Sequence, residues 1–325
     1  MTNERLLQLA SEFGIDQPKI TFLRQNENMT YRVDDADGAS YLMRIHQPVT
    51  DHMAGLQHTY EGLLGELHML DALARENQLR AQRPVRNLNG EFIAVTLLEG
   101  KQLNCSMLTW IEGRDLQPED LTNSEFAMQF GAQLAELHDF LRNYRHESLD
   151  KRPQQGIKYN DGMVSSIKDG YRQGLFTSSD VTVIENTIRR INSRLNDLGQ
   201  TKKTWGPIHG DVGKGNIILT PERELCFIDF GFFGRGYYLL DIAMGACMLP
   251  KEHRDAFLKG YYGHTELSES EMALLEGFLL VGIIGYYAFQ MGNESVHDWM
   301  RNRMPKLCAD YCLPYLSGER IWYKV

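Results

Sequence analysis

The chain has 325 residues, 42% apolar and 24% charged, which supplies a sizeable core and excludes a disordered or collagen-like chain. Lys and Arg number 34 against 43 Asp and Glu, and a formal charge of −9 argues against nucleic acid as a partner. Five cysteines, an odd number without a nearby histidine pair, read as free thiols rather than a zinc site, and Met1 to Ala10 lacks the apolar run of an export signal, so a cytoplasmic protein is expected.

Short β-like runs open the chain. Ile20–Arg24 and Met29–Val33 read as strands, and Tyr41–His46 follows the turn dipeptide Asp37-Gly38. Leu56, Tyr60, Leu63, Leu67, Leu70 and Leu73 then recur at spacings of three and four, which predicts a helix over Leu56–Glu76. Pro84–Leu88 and Glu91–Leu97 read as two strands around Asn89-Gly90, and Leu103–Ile111 as a last one. The order is therefore β-β-β-α-β-β-β.

The remainder is mainly helical. Asn123 or Ser124 can cap a helix carrying Phe126, Phe130, Leu134, Leu137 and Leu141, and a second helix is expected over Val181–Leu198. A compact β segment spans Ile208–Phe230, and helices return with Pro250, Pro305 and Pro314 as expected boundaries. Gly277–Asn293 carries no formal charge but falls short of the ~18–20 apolar residues of a membrane span, and Glu276 and Glu294 flank it without basic residues. It reads as a buried core helix, and no membrane partner is expected. The paired tyrosines Tyr237-Tyr238, Tyr261-Tyr262 and Tyr286-Tyr287 read as half-buried core rather than as a box for a quaternary ammonium.

The chemistry concentrates in His209-Gly210-Asp211-Val212-Gly213-Lys214-Gly215-Asn216, a loop running into the apolar stretch Ile217–Leu219. Thirteen residues after Asn216 comes Asp229-Phe230-Gly231. A turn at Pro221–Glu224 would fold the two runs into a hairpin and bring Asn216 close to Asp229. An amide oxygen and a carboxylate together suit a hard cation such as Mg2+, and Asp211 would hold a substrate hydroxyl.

The pattern H-G-D-x-x-x-x-N followed by D-F-G resembles the aminoglycoside phosphotransferase and choline kinase superfamily. Asn28–Val33 with Tyr41–Ile45 resembles the N-terminal strands of its homoserine-kinase-like and stress-kinase-like branches, and Leu134–His138 the helix before the catalytic loop. The resemblance implies an α+β, bilobal, protein-kinase-like fold: a small β-rich nucleotide-binding lobe over 1–110 and a larger, mainly helical catalytic and substrate-binding lobe over 111–325. It implies ATP and Mg2+ as cofactors and a small-molecule hydroxyl as acceptor.

Residue roles follow from that resemblance. Asp211 matches the catalytic aspartate, and Asn216 and Asp229 the two metal ligands. Arg44 stands at the strand position of the phosphate-clamping base, with Glu66 as its helical partner and Glu61 as the alternative. Thr109 and Ile111 match the hinge whose backbone meets adenine, and His209 matches a residue that orients the loop. Asp241 matches a residue that braces it. The loop Gln25–Met29, between the first two strands, has no glycine, so Asn26, Asn28 and Thr30 must supply donors to phosphate. Small-molecule phosphotransfer, to an amino alcohol such as homoserine or a choline-like compound, a sugar or an aminoglycoside, is the first reading. A stress-type Ser/Thr protein kinase and a catalytically silent nucleotide-binding protein are the alternatives.

Overall fold

Strands β1 (Lys19–Gln25), β2 (Met29–Asp34), β3 (Ser40–Ile45), β4 (Ile93–Leu98) and β5 (Lys101–Thr109) form an antiparallel sheet in the order β1-β2-β3-β5-β4. The computed structural model describes residues 1–48, 55–76, 79–263 and 267–325. The chain divides into two units. One comprises Met1–Arg114, Arg145–Arg152 and Ile218–Gly231, the other Asp115–Tyr144, Pro153–Ile217 and Phe232–Val325.

In the first unit, helix α1 (Asn3–Glu12) is an element that the strand pattern does not announce. Leu6, Leu9 and Ala10 recur at helical spacing, and Thr2 caps it by accepting from the Arg5 N–H. They pack with Phe13 against Met29, Tyr31, Val33, Met43, Ile45, Cys105 and Met107 of the sheet. Strand residues alternate between faces, so Arg44, His46 and Ser106 fall on the side opposite this cluster. Helix α2 (Tyr60–Leu73) supplies Glu66 to that side.

One expected strand is absent. Residues 84–88 make only an isolated bridge, Pro84 to Leu108. Proline cannot donate to a ladder. The Asn87 side chain instead closes a turn, its Oδ1 accepting from the N–H groups of Asn89 and Glu91. The hairpin tip is Glu99-Gly100, whose φ values of 51° and 78° suit the tight turn between β4 and β5. Strands β6 (Arg114–Asp115), β9 (Ile217–Leu219) and β10 (Leu225–Phe227) form a small sheet in the order β10-β9-β6. The turn between β9 and β10 is closed by the Thr220 N–H donating to the Glu224 carbonyl at 2.9 Å.

The second unit is helical around a three-stranded sheet of β7 (Gln154–Gln155), β8 (Trp205–Ile208) and β11 (Gly234–Tyr237). Its helices are α3 (Ser124–Asn143), α4 (Ile157–Arg172), α5 (Ser178–Leu198), α6 (Tyr238–Cys247), α7 (Arg254–Tyr262), α8 (Glu269–Phe289), α9 (His297–Lys306) and α10 (Leu313–Ser317). The Asn123 side chain caps α3, accepting from the Glu125 N–H. Helix α8 is long and apolar enough to cross a membrane, yet it packs against α4, α5 and α6, and Phe278, Leu279, Leu280, Val281 and Ile284 are all buried. Glu276 is buried too, because its Oε1 accepts from the N–H groups of Ile321 and Trp322 at 2.9 Å each, pinning the C-terminal segment. Pro305 lies inside α9 rather than at a helix boundary. The chain stays helical past it through a wide π turn, Leu307–Cys312, a local adjustment often seen where the regular ladder is interrupted.

Candidate active site

In the first unit, Arg44 is 3% exposed and Glu66 is 1% exposed, and Arg44 Nη1 donates to Glu66 Oε1 at 2.6 Å. Glu66 is therefore the helical partner, while Glu61 is exposed. Arg44 Nε donates to Ser106 Oγ at 3.3 Å, and that hydroxyl lies 3.0 Å from His46 Nε2. Arg44 Nη2 is buried with no hydrogen-bond partner among the described residues. A buried guanidinium donor is costly to leave unpaired. Its planar fork suits an incoming phosphate oxygen, so the residues present fit a nucleotide phosphate at this position.

Two histidines flank this pair. Burial pushes His46 far below the ordinary histidine range, and Arg44 adds to the effect. Burial pushes His58 down to about 4 despite the opposing influence of Glu66. Neither ring nitrogen of His58 has a hydrogen-bond partner among the described residues. Both rings are neutral at pH 7, so they add no positive charge beside Arg44.

Asp229 has a φ of 61°, a left-handed conformation that Asp tolerates better than most residues. Its Oδ2 lies 3.5 Å from Arg24 Nη2 of β1, with both side chains partly exposed. A guanidinium resting on this carboxylate marks a place where a cation is welcome. Arg152, 1% exposed, holds the next two residues. Its Nη2 donates to the carbonyls of Phe230 at 3.0 Å and Gly231 at 2.5 Å, and its Nη1 donates to the Gly62 carbonyl of α2 at 2.9 Å. Gly65 makes this possible, because a Cβ there would stand 2.9 Å from Arg152 Cδ. One side chain thus ties the Asp229 loop to the helix that carries Glu66.

The hinge residues are in the same unit. The Thr109 N–H donates to the Arg83 carbonyl at 2.8 Å, and its carbonyl accepts from Gln82 Nε2 at 3.3 Å. That leaves the carbonyl's second lone pair, rather than the N–H, as the group of Thr109 able to meet a ligand. Ile111 follows the end of β5 and is half-buried. In the loop after β1, the Asn26 N–H donates to the Asn28 carbonyl at 3.2 Å, and Asn28 Oδ1 is buried without a partner among the described residues.

In the second unit, β8 leads into the loop His209–Asn216. Gly210 has φ +82°, and a Cβ there would stand 2.3 Å from Gln155 Nε2 and 2.6 Å from the Phe232 carbonyl, so only glycine fits. Asp241, fully buried at the start of α6, accepts from the His209 N–H at 2.7 Å and from the Gly210 N–H at 2.8 Å. His138 Nε2 lies 3.0 Å from Asp241 Oδ2, and its Nδ1 lies 2.7 Å from the Tyr261 hydroxyl. Burial lowers the His138 pKa against the pull of Asp241. A neutral ring must therefore donate from Nε2 to the carboxylate and accept from Tyr261 at Nδ1.

The loop then turns back on itself. The Asp211 N–H donates to His209 Nδ1 at 3.3 Å, and Asn216 Nδ2 donates to the Asp211 carbonyl at 2.9 Å and to Asp211 Oδ2 at 2.8 Å. Two oxygen acceptors fix the orientation of the amide and leave Asn216 Oδ1 as its acceptor for a hard cation. Lys214 is exposed. Arg152, His46, His58 and Ser106 carry no motif of their own; the carbonyls to which the Arg152 guanidinium donates are 78 to 90 positions away.

The family model described as "Phosphotransferase enzyme family" matches residues 19–275. The chain belongs to that family. It is a phosphotransferase enzyme with a protein-kinase-like fold. It is 25% identical over 310 residues to an uncharacterized protein of Deinococcus radiodurans, covering 90% of this chain and 84% of that one. Among solved structures it resembles an amicoumacin kinase in complex with AMP-PNP and Ca2+, with a TM-score of 0.74, 19% identity and coverage of 95% and 93% of the two chains. It also resembles a microcompartment-associated aminopropanol kinase, with a TM-score of 0.75, 17% identity and coverage of 98% of each chain.

Proposed function

We propose that this phosphotransferase moves the γ-phosphoryl group of ATP to a hydroxyl of a small organic molecule, with Mg2+, in the cytoplasm. The observation that carries the reading is the Asp211–Asn216 pair. Asn216 donates to one carboxylate oxygen of Asp211 and fixes the orientation of that carboxylate, which would accept a hydrogen bond from the attacking hydroxyl. As that hydroxyl oxygen bonds to the γ-phosphorus, the bond from phosphorus to the β–γ bridging oxygen breaks. The hydroxyl proton passes to Asp211, and ADP leaves. Asn216 Oδ1 and Asp229 would hold Mg2+, which neutralises charge on the phosphate oxygens when bound. Arg44, aligned by Glu66 and Ser106, turns its unpaired Nη2 toward a phosphate oxygen, and Thr109 and Ile111 meet the adenine edge. The AMP-PNP in the amicoumacin kinase supports the choice of ATP.

The protein-kinase reading is weaker. After Gly231 the chain enters β11 at Gly234 and α6 at Tyr238, which leaves no room for an activation segment. The test is Mg2+-dependent ADP release across a panel of small alcohols. Asp211→Asn is expected to fold and bind nucleotide but to lose roughly 10²–10⁴-fold in rate, the range for a positioned base. Wild-type turnover in that variant would remove Asp211 from the mechanism. Nucleotide binding without phosphotransfer to any alcohol would favour the silent binding protein.

A further inference from the structure

The second unit contains a cavity of about 370 Å³ beside the catalytic loop. Val212 and Gly213, the two residues after Asp211, form part of its wall. The rest comes from α6 and Met248 just after it, α8 and α9, with Met244, Leu279, Ile283, Tyr286 and Trp299 prominent. Tyr286 and Trp299 pack edge to face at 5.7 Å and are each nearly half exposed, so their rings stand at an open rim. Among the described residues, no Asp, Glu, Lys, Arg or His belongs to the lining. A larger cavity of about 740 Å³, between α5, α8 and α10, has the opposite character, with Arg194, Asp197, Glu269, Glu319 and Arg320 in its wall, and it includes no residue of the catalytic loop.

We propose that the cavity beside Asp211 holds the body of the phosphate acceptor, and that this body is a neutral, apolar group, aryl or alkyl, carrying the reacting hydroxyl. The proposal rests on the phosphotransfer reading above and names the acceptor class it left open. Burying an ammonium in this wall would strip its water without offering a carboxylate. Aromatic faces at the rim repay part of that cost, but the deeper aliphatic wall of Met244, Leu279 and Ile283 repays none. A polycationic aminoglycoside meets the same penalty several times over. An apolar body loses only unfavourable contact with water. Its size suits a small ligand, since sites of this kind span about 300–1,000 Å³.

The test reads occupancy separately from turnover. Cys247 lines the cavity and is exposed, whereas Cys105, Cys226, Cys308 and Cys312 are buried. Alkylation of Cys247 by N-ethylmaleimide, followed by mass spectrometry, therefore reports on the cavity. Phenylpropanol, choline and an aminoglycoside are compared as protectants, with ADP release measured in the same samples. Phenylpropanol is expected to protect at concentrations at least roughly tenfold below choline, from the burial of its ring. Ile283→Glu is expected to reverse that order. Gly282→Leu is expected to abolish protection while folding normally, because a Cβ at Gly282 meets only Met244 Cγ at an ordinary 3.5 Å. Protection by choline or the aminoglycoside at equal or lower concentration would overturn the proposal, as would undiminished protection in Gly282→Leu. Phenylpropanol protection without any stimulated ADP release would keep the apolar cavity but overturn phosphotransfer to its occupant. ADP release stimulated by choline or the aminoglycoside, with Cys247 unprotected, would overturn the cavity assignment and leave the kinase reading standing.

Discussion

Removal of the Arg152 guanidinium while keeping its aliphatic stem, as in Arg152→Met, tests the link between the Asp229 loop and α2. The stem packs against Gly65, so methionine preserves most of that contact. The change deletes three bonds from a charged donor to the carbonyls of Gly62, Phe230 and Gly231. At about 1.5–3 kcal/mol each, their gross worth is ~5–9 kcal/mol. Burial pushes the Arg152 pKa down to about 10, so the charge persists at neutral pH at a desolvation cost of ~3 kcal/mol that methionine would recover. The expected net loss is about 2–6 kcal/mol in urea unfolding. Arg152→Lys keeps the charge but not the fork, and should lose about half as much, since an ammonium cannot serve both segments at once. Phe230 and Gly231 follow Asp229 directly, so both variants should also need more Mg2+ for half-maximal ADP release, with acceptor KM little changed. Wild-type stability and an unaltered Mg2+ requirement in Arg152→Met would refute this reasoning.

Three further outcomes are expected. Glu66→Ala leaves the Arg44 charge buried without its partner and should cost about 3–5 kcal/mol in unfolding free energy, whereas Glu66→Gln should cost less and mainly raise the KM for ATP. Asp241→Ala orphans the N–H groups of His209 and Gly210 together with His138 Nε2, and thermal unfolding should show a loss of at least ~3 kcal/mol; a melting curve like that of wild type would contradict the bracing role. His58, among Glu27, His46, Arg44, Glu66, Arg152 and Asp229, has a folded pKa of about 4, below its ordinary value. The unfolded chain binds the extra proton first on acidification, so the stability His58 provides is intact above pH ~6.5 and falls as pH drops toward 4. His58→Gln should flatten stability curves in that window, and an unchanged slope would remove His58 as the cause.

Several features were legible in the sequence for local reasons. The order of strands and the helix carrying Glu66 follow from spacing that needs no distant contact. Asp211 and Asn216 were legible as members of one loop of eight residues, whereas the hydrogen bonds between them come from the structure. Motif matching placed Arg44 and Glu66, and strand alternation explains why Arg44 leaves the α1 side of the sheet. Asn89-Gly90 signalled a turn correctly but misplaced the hairpin, because the Asn87 side chain closes that turn with its own hydrogen bonds and β4 starts only at Ile93. Pro305 signalled a break that the following wide turn absorbed.

What the sequence by itself determined, then, was what short-range pattern carries: the His209–Asn216 loop, the Asp-Phe-Gly segment and, through them, the phosphotransferase family. Tertiary structure decided the rest. Arg152 touches residues 78 to 90 positions away, Asp241 braces a loop 31 and 32 positions earlier, and the wall of the cavity beside Asp211 is drawn from three helices. Such contacts form only when packing buries the groups together. The burial that makes an Arg44 nitrogen without a partner among the described residues costly and two histidines neutral, and the packing that lines a pocket with apolar side chains, are properties of the folded chain, with no counterpart in the spacing of residues along it.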